Sequence, residues 1–274
     1  MLAEINEKDA TGDIARIFDE IRRLWGVPYV SAIHRHLATR PGVLEWTWEA
    51  AGPAFRSGGA QEAGWRAADG LALAPLDRIP RAALTVWGVD DQALASVKAV
   101  AEGFVRVAPV NMMFAGLVRA LLDGNQPGGG HGNPGRAPWL PPPALPAPPV
   151  MVAPEALDPA QHAVLMQFAS TSDGKPFVPG LYRMLAHWPG LLAHLTTVLV
   201  PRLTAAETNA ACDRLRARID AAVPEVLGTL PAVPMQRVMP DAAERVHFMS
   251  IGGTYRKTSP ELVVLGRLIR DALP

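Results

Sequence analysis

Cys212 is the only cysteine among 274 residues. One thiol can form neither an intrachain disulfide nor a C-x-x-C redox pair, cannot build a cysteine-rich zinc site, and excludes a thiol peroxidase that needs a second cysteine. The expected compartment is the cytoplasm. Net charge is missing as well: 26 basic residues face 26 acidic ones, so no bulk field attracts a polyanion, and nucleic acid is excluded as the main partner. Runs of alternating β-branched residues are scarce. There is no G-x-S-x-G elbow, no H-E-x-x-H, no Walker loop and no G-x-G-x-x-G after a strand. The seven histidines include no i, i+4 pair, and His34 and His36 fall on different faces of a helix, so no metal site is expected. Glu4, Glu7, Lys8 and Asp9 stand where a signal peptide would carry an apolar core. Ala137 to Pro154 is uncharged and nearly long enough to span a bilayer, but its eight prolines exclude a membrane helix.

What remains is 49% hydrophobic and 19% charged, a composition that builds a globular core. Between Asp123 and Pro149, prolines and glycines fill 15 of 27 positions, which favours turns and extended chain. The expected organisation is therefore residues 1–122, a Pro/Gly-rich linker over 123–154, and residues 155–274. The flanking segments resemble each other. A shift of 148 lays VPYVSAIHRHLATRPGVL over KPFVPGLYRMLAHWPGLL and gives ten identities in 30 ungapped positions, among them Pro28/Pro176, Arg35/Arg183 and Pro41/Pro189. Chance pairing would give about two or three. A weaker echo pairs GFVR at Gly103 with GTYR at Gly253. The reading is an internal duplication, two fused homologous helical repeats forming a pseudo-dimer.

Helical spacing dominates. Ile14, Ile17, Phe18, Ile21, Leu24 and Trp25 form one apolar stripe. In the second repeat Asp158 is placed to cap a helix that starts at Pro159, and the matching stripe is His162, Leu165, Met166, Ala169, Ser172 and Asp173. Pro109 and Pro260 read as the first residues of two further matched helices. An all-α fold follows, with short helices and bends, since proline is about a tenth of the chain.

Comparing the repeats isolates the polar exceptions. Ser172 and Asp173 fall opposite Leu24 and Trp25, and Asn111 falls opposite Leu262. If the helix is preserved, a carboxylate and an amide occupy seats built for apolar side chains. A desolvated carboxylate has its pKa raised from about 3.9, which suits a general base. Asparagine offers both a donor and an acceptor with which to orient a water. TSDGKP reads equally as the capped end of a helix with Asp173 turning into Gly174, and Asn111 as a first-turn residue bonding free amides. Residues alone leave both readings open, so a non-catalytic helical ligand-binding or interaction scaffold stands beside an enzyme.

The order IFDEIRRLWGVPYV, RHLATRPGVLEWTWEAAGP, APVNMMF and FASTSDGKPFVPGLYRMLA with WPGLL resembles the group I 2-haloacid dehalogenases, over both repeats and outside the linker. The most specific parts are the Ser-Asp before the second proline motif and the Pro-x-Asn of the first repeat. The resemblance implies a hydrolase that displaces halide from short 2-halocarboxylic acids, with inversion and without cofactor or metal. It makes Asp173 the base that activates water, Asn111 the residue that holds water or substrate, and Ser172, Tyr29, Tyr255 and Trp25 the pocket. Arg35 and Arg183, matched between repeats, read as structural salt bridges or carbonyl bonds. The partner expected is the haloacid substrate and its halide product, with neither membrane nor nucleic acid, and a homodimer is the default assembly.

Overall fold

The structure is a computed structural model that describes residues 3–129, 138–172, 175–231 and 236–274; the side chains of Thr171, Ser172, Lys175 and Lys257 are outside that description. Its elements in chain order are α1 Gly12–Trp25, α2 Ala32–Leu37, α3 Val43–Arg56, α4 Gly59–Ala68, α5 Arg81–Val86, α6 Asp91–Leu122, α7 Pro159–Met166, β1 Ser170–Ser172, β2 Lys175–Phe177, α8 Gly180–Leu185, α9 Pro189–Leu203, α10 Ala206–Gly228 and α11 Ala242–Ala272. Among the described residues the fold is all-α apart from one pair of antiparallel strands, in which Ser170 pairs with Phe177 and Ser172 with Lys175.

The apolar stripe of the first repeat becomes the buried face of α1: Ile17, Phe18, Ile21, Leu24 and Trp25 are all buried, and the helix packs on α3. It stops where Gly26 takes the left-handed conformation at φ 63°. Asp158 caps α7 as its sequence requires, accepting 2.9 Å hydrogen bonds from the amides of Ala160 and Gln161. The matched stripe then departs from expectation. α7 ends at Met166, and Ser170–Ser172 is strand, so Ser172 does not sit on a helical stripe. Hydroxyl side chains compete for backbone hydrogen bonds and weaken a helix, which favours extended chain over the run Ser170, Thr171, Ser172.

Proline also behaves otherwise than expected. Pro109 does not open a helix but lies inside the 32-residue α6, and Pro260 lies inside the 31-residue α11. An interior proline costs about 3 kcal/mol. Here burial outweighs that cost, because Val107, Val110, Met112, Met113 and Phe114 are all buried around it. The indole of Trp65 donates to the Arg106 carbonyl at 2.9 Å, close to the break. On α4, a Cβ at Gly64 would come within 3.1 Å of the Pro109 carbonyl oxygen, so glycine admits the close approach. α6 is long and apolar enough to cross a membrane, and 78% of the window that meets that test is buried inside the protein.

Packing divides the chain into two compact units: Met1–Gly70 with Arg106–Leu145 and Arg214–Pro260, and Leu71–Val105 with Pro146–Asp213 and Glu261–Pro274. Each draws on both sides of the Pro/Gly-rich stretch, so packing does not cut the chain at 123–154. Residues 138–152 of that stretch are bound chain instead of a free tether. In the first unit Arg106 donates to the carbonyls of Gly26 and Pro143 at 2.9 and 2.8 Å, and the Leu145 amide donates to Gly26 at 3.0 Å. In the second unit Arg183 Nε donates to the Val152 carbonyl and His187 Nε2 to the Val150 carbonyl. Polyproline-like chain has no internal hydrogen bonds, so its carbonyls are available to such donors.

Trp139 lies over Gly58, whose φ is 78° and where a Cβ would stand 2.3 Å from the indole ring. A Gly58→Ala protein is therefore expected to lose about 1–3 kcal/mol of stability in urea titration and to show altered Trp139 fluorescence. Unchanged values would mean that the indole is not seated there.

The structural roles expected for the matched arginines hold: Arg35 pairs with Glu4 at 2.6 Å, and Arg183 makes its carbonyl bond to Val152. Their backbones are treated alike too, the Ile5 amide donating to the Arg35 carbonyl and the Val152 amide to the Arg183 carbonyl. Advanced by 148, α2 coincides with α8 at both ends. These correspondences support the duplication, which stands as a proposal about ancestry.

Candidate functional site

Asn111 is in the middle of α6, 6% exposed, and not in a first turn, so its amide is not needed to cap free backbone donors. Its partners come from the chain that follows α1. Trp25 Nε1 is 3.3 Å from Oδ1, and Nδ2 is 2.9 Å from the hydroxyl oxygen of Ser31. An indole nitrogen can only donate, which fixes the amide: the carbonyl faces Trp25 and the NH2 faces Ser31. Ser31 Oγ accepts from Asn111, so its own hydrogen is free to point elsewhere. The cluster can then offer one remaining Nδ2 hydrogen and the Ser31 hydroxyl hydrogen as adjacent donors, beside one unused lone pair on Oδ1.

An aromatic floor holds this chain. Trp25 is buried, stacked on Phe55 at a centroid distance of 4.7 Å, and meets the edge of His34 at 5.6 Å. His34 lies 4.5 Å from Phe114, is fully buried, and has no hydrogen bond on either ring nitrogen. Burial alone drives its pKa down to about 3, so the ring is neutral. His36 has other partners: Nδ1 donates to the Ala3 carbonyl at 2.6 Å, and Nε2 lies 2.8 Å from Nε2 of His247.

The structure thus joins two of the expected site residues, Trp25 and Asn111, by a direct hydrogen bond. The indole N–H is directed at Asn111, so the ring bears on the site through that amide. Tyr29 lies in the α1–α2 connection of the same unit, half-buried. Burial pushes its phenol up, Arg106 opposes the shift and Glu7 adds to it. Tyr255, half-buried on α11, is likewise pushed up by burial, with Glu4 adding and Arg35 opposing. Among the described residues neither phenol is hydrogen-bonded to the Trp25–Asn111–Ser31 chain. Ser172 ends β1, and Asp173 lies outside the described residues.

Ser31 and His34 were missed as site neighbours. Comparison of the repeats carries the signal for both, since one place past Val30 it sets Ser31 opposite Pro179, and further on His34 opposite Tyr182. Tyr182 repeats the pattern of a buried polar ring without a partner: it stacks on Phe168 at 4.0 Å and its hydroxyl is unbonded. Burial pushes that phenol up, and Glu261, itself raised by burial, adds to the shift. Two surface hollows, one walled by Val164, Ala186 and Leu192 and one by Leu122, Val246 and Met249, hold none of the candidate residues.

No protein-family model matches the sequence, and no curated protein matches it. Solved structures do. A mutant D-2-haloacid dehalogenase in complex with D-2-CPA superposes with a TM-score of 0.75 at 20% identity, covering 99% of this chain and 96% of that one. The fold is that of the D-2-haloacid dehalogenases. A D-2-haloacid dehalogenase in complex with L-LA gives a TM-score of 0.74 at 18% identity, again over 99% and 96% of the two chains. A further mutant of such an enzyme gives 0.71 at 18% identity over 100% and 96%. On this fold the Trp25–Asn111–Ser31 chain is a polar cluster around the buried Asn111, set on the aromatic floor of Trp25, Phe55, His34 and Phe114, where low local dielectric strengthens its hydrogen bonds.

Proposed function

We propose that the chain is a 2-haloacid dehalogenase, hydrolysing short 2-halocarboxylic acids to 2-hydroxy acids with inversion at the α-carbon. The observation that carries this reading is the likeness to D-2-haloacid dehalogenase structures over 99% of the chain. The orientation of the Asn111 amide supports it. In the proposed reaction Asp173 takes one proton from a water whose oxygen attacks the α-carbon directly, and the halide leaves on the opposite side. Displacement at an sp³ carbon needs near-collinear attack, so catalysis is mostly positioning and removal of that proton. The remaining Nδ2 hydrogen of Asn111 supplies a donor for the water oxygen or for the substrate carboxylate. Ser172, Tyr29, Tyr255 and Trp25 are proposed to line the pocket, and a homodimer remains the expected assembly.

The test is halide release from D- and L-2-chloropropionate supplied separately. Release from at least one of them is expected, and none from either would leave only a binding scaffold. A single turnover in heavy-oxygen water is expected to deliver the label into the first hydroxy acid formed. Unlabelled first product would instead mean that Asp173 attacks carbon itself and forms an ester.

A further inference from the structure

Ser31 is the N-cap residue of α2, with extended backbone at φ −63° and ψ 148°. A serine there ordinarily bonds an amide of the first helical turn, a contact worth about 1 kcal/mol. Ser31 makes no such bond. Its hydroxyl instead takes the Nδ2 hydrogen of Asn111 at 2.9 Å, across 80 residues of sequence. A helix that forgoes its cap for a contact on another helix marks where the hydroxyl is used.

From this we infer that Ser31 is a positioning residue for Asn111 in the proposed dehalogenation, and the inference rests on that reading of function. Trp25 holds the amide oxygen and Ser31 holds the amide nitrogen, so the side chain is pinned at both ends and cannot flip. The donor that Asn111 holds in a fixed direction for a reacting water or substrate oxygen is then its remaining Nδ2 hydrogen. Without Ser31 the long 3.3 Å bond from Trp25 is the one side-chain hydrogen bond left on the buried amide, so the direction of its N–H groups is less tightly held.

Two readouts test this, one of them independent of activity. In Ser31→Ala the side-chain amide resonances of Asn111 and the indole N–H resonance of Trp25, whose hydrogen bond goes to Asn111, are both expected to move, while Ser31→Thr keeps them near their original positions. Unmoved resonances in Ser31→Ala would overturn the inference even if every variant releases halide. In the halide assay Ser31→Ala is expected to lower kcat about 10–100-fold with little change in KM, and Ser31→Thr to restore it. A cap role predicts the opposite pattern: Ser31→Gly, a nearly equivalent cap, would keep full kcat, and that result would also sink the proposal. If the unaltered chain releases no halide from any 2-haloacid, the proposed function fails, and the resonances alone decide whether Ser31 orients Asn111.

Discussion

An Asp173→Asn protein is expected to release halide from 2-chloropropionate about 10²–10⁴ times more slowly than the unaltered chain, the usual worth of a positioned general base. Asparagine keeps the shape of aspartate but loses its negative charge, and with it the ability to take a proton from water or to attack carbon. The comparison is of initial rates of chloride release, with circular dichroism to establish that both proteins are folded. The fall should lie in kcat, because the base acts on water after the substrate has bound. Full activity in Asp173→Asn would remove the base from the mechanism. Loss in Asp173→Asn together with unlabelled oxygen in the first product would keep the residue and change its role to nucleophile.

The second large effect concerns acid. His34 is fully buried between Trp25 and Phe114 with neither nitrogen bonded, and its pKa falls to about 3 in the folded protein. In the unfolded chain it titrates near 6.5. Between those values the unfolded state binds a proton that the folded state refuses, so stability falls as pH drops below about 6.5 and the loss is complete near pH 3. At about 1.4 kcal/mol per pH unit the whole window amounts to ~5 kcal/mol, a large share of the stability of an ordinary domain. Urea midpoints measured from pH 7 to pH 4 should therefore fall less steeply in His34→Phe than in the unaltered protein. Other groups titrate in this range, including His247, whose pKa is lowered by burial, but they are common to both proteins and cancel in the difference. Parallel curves would show that His34 is charged in the fold or reached by water.

The fold was legible where local chemistry and packing agree. The stripe from Ile14 to Trp25 has a helical period and ends at a glycine suited to the left-handed region, and both features are realised in α1. Asp158 followed by Pro159 is a helix start that no neighbour needs to enforce. Misreading began where one repeat was used to predict the other. Carrying the α1 stripe across by 148 places set Ser172 on a helix, whereas Ser172 ends β1, and Asp173 lies outside the described residues. The prolines misled for another reason. Pro109 and Pro260 have the chemistry of helix starts, and only the burial of the residues around them shows that the helix continues through both.

The candidate site was legible by the same comparison, and with the same limits. Asn111 stood out as an amide in an apolar slot, and its burial in α6 agrees. Trp25 was chosen for its ring, whereas its N–H makes the contact with Asn111. Ser31 reads as a cap, because a serine before a short helix has that chemistry, and its hydroxyl is committed to Asn111 only through tertiary packing.

The interleaving of the two packing units bears on how the chain is made. The first unit draws its last segment from Arg214–Pro260, so its core cannot close until the chain has emerged from the ribosome through Pro260. Folding one half while the other is still being synthesised is thereby excluded for that unit. A nascent chain halted after Leu122 would hold the Trp25–Asn111 contact partners yet lack the stretch of α11 that carries His247 and Tyr255. Such a chain would expose apolar helix faces to chaperones throughout translation.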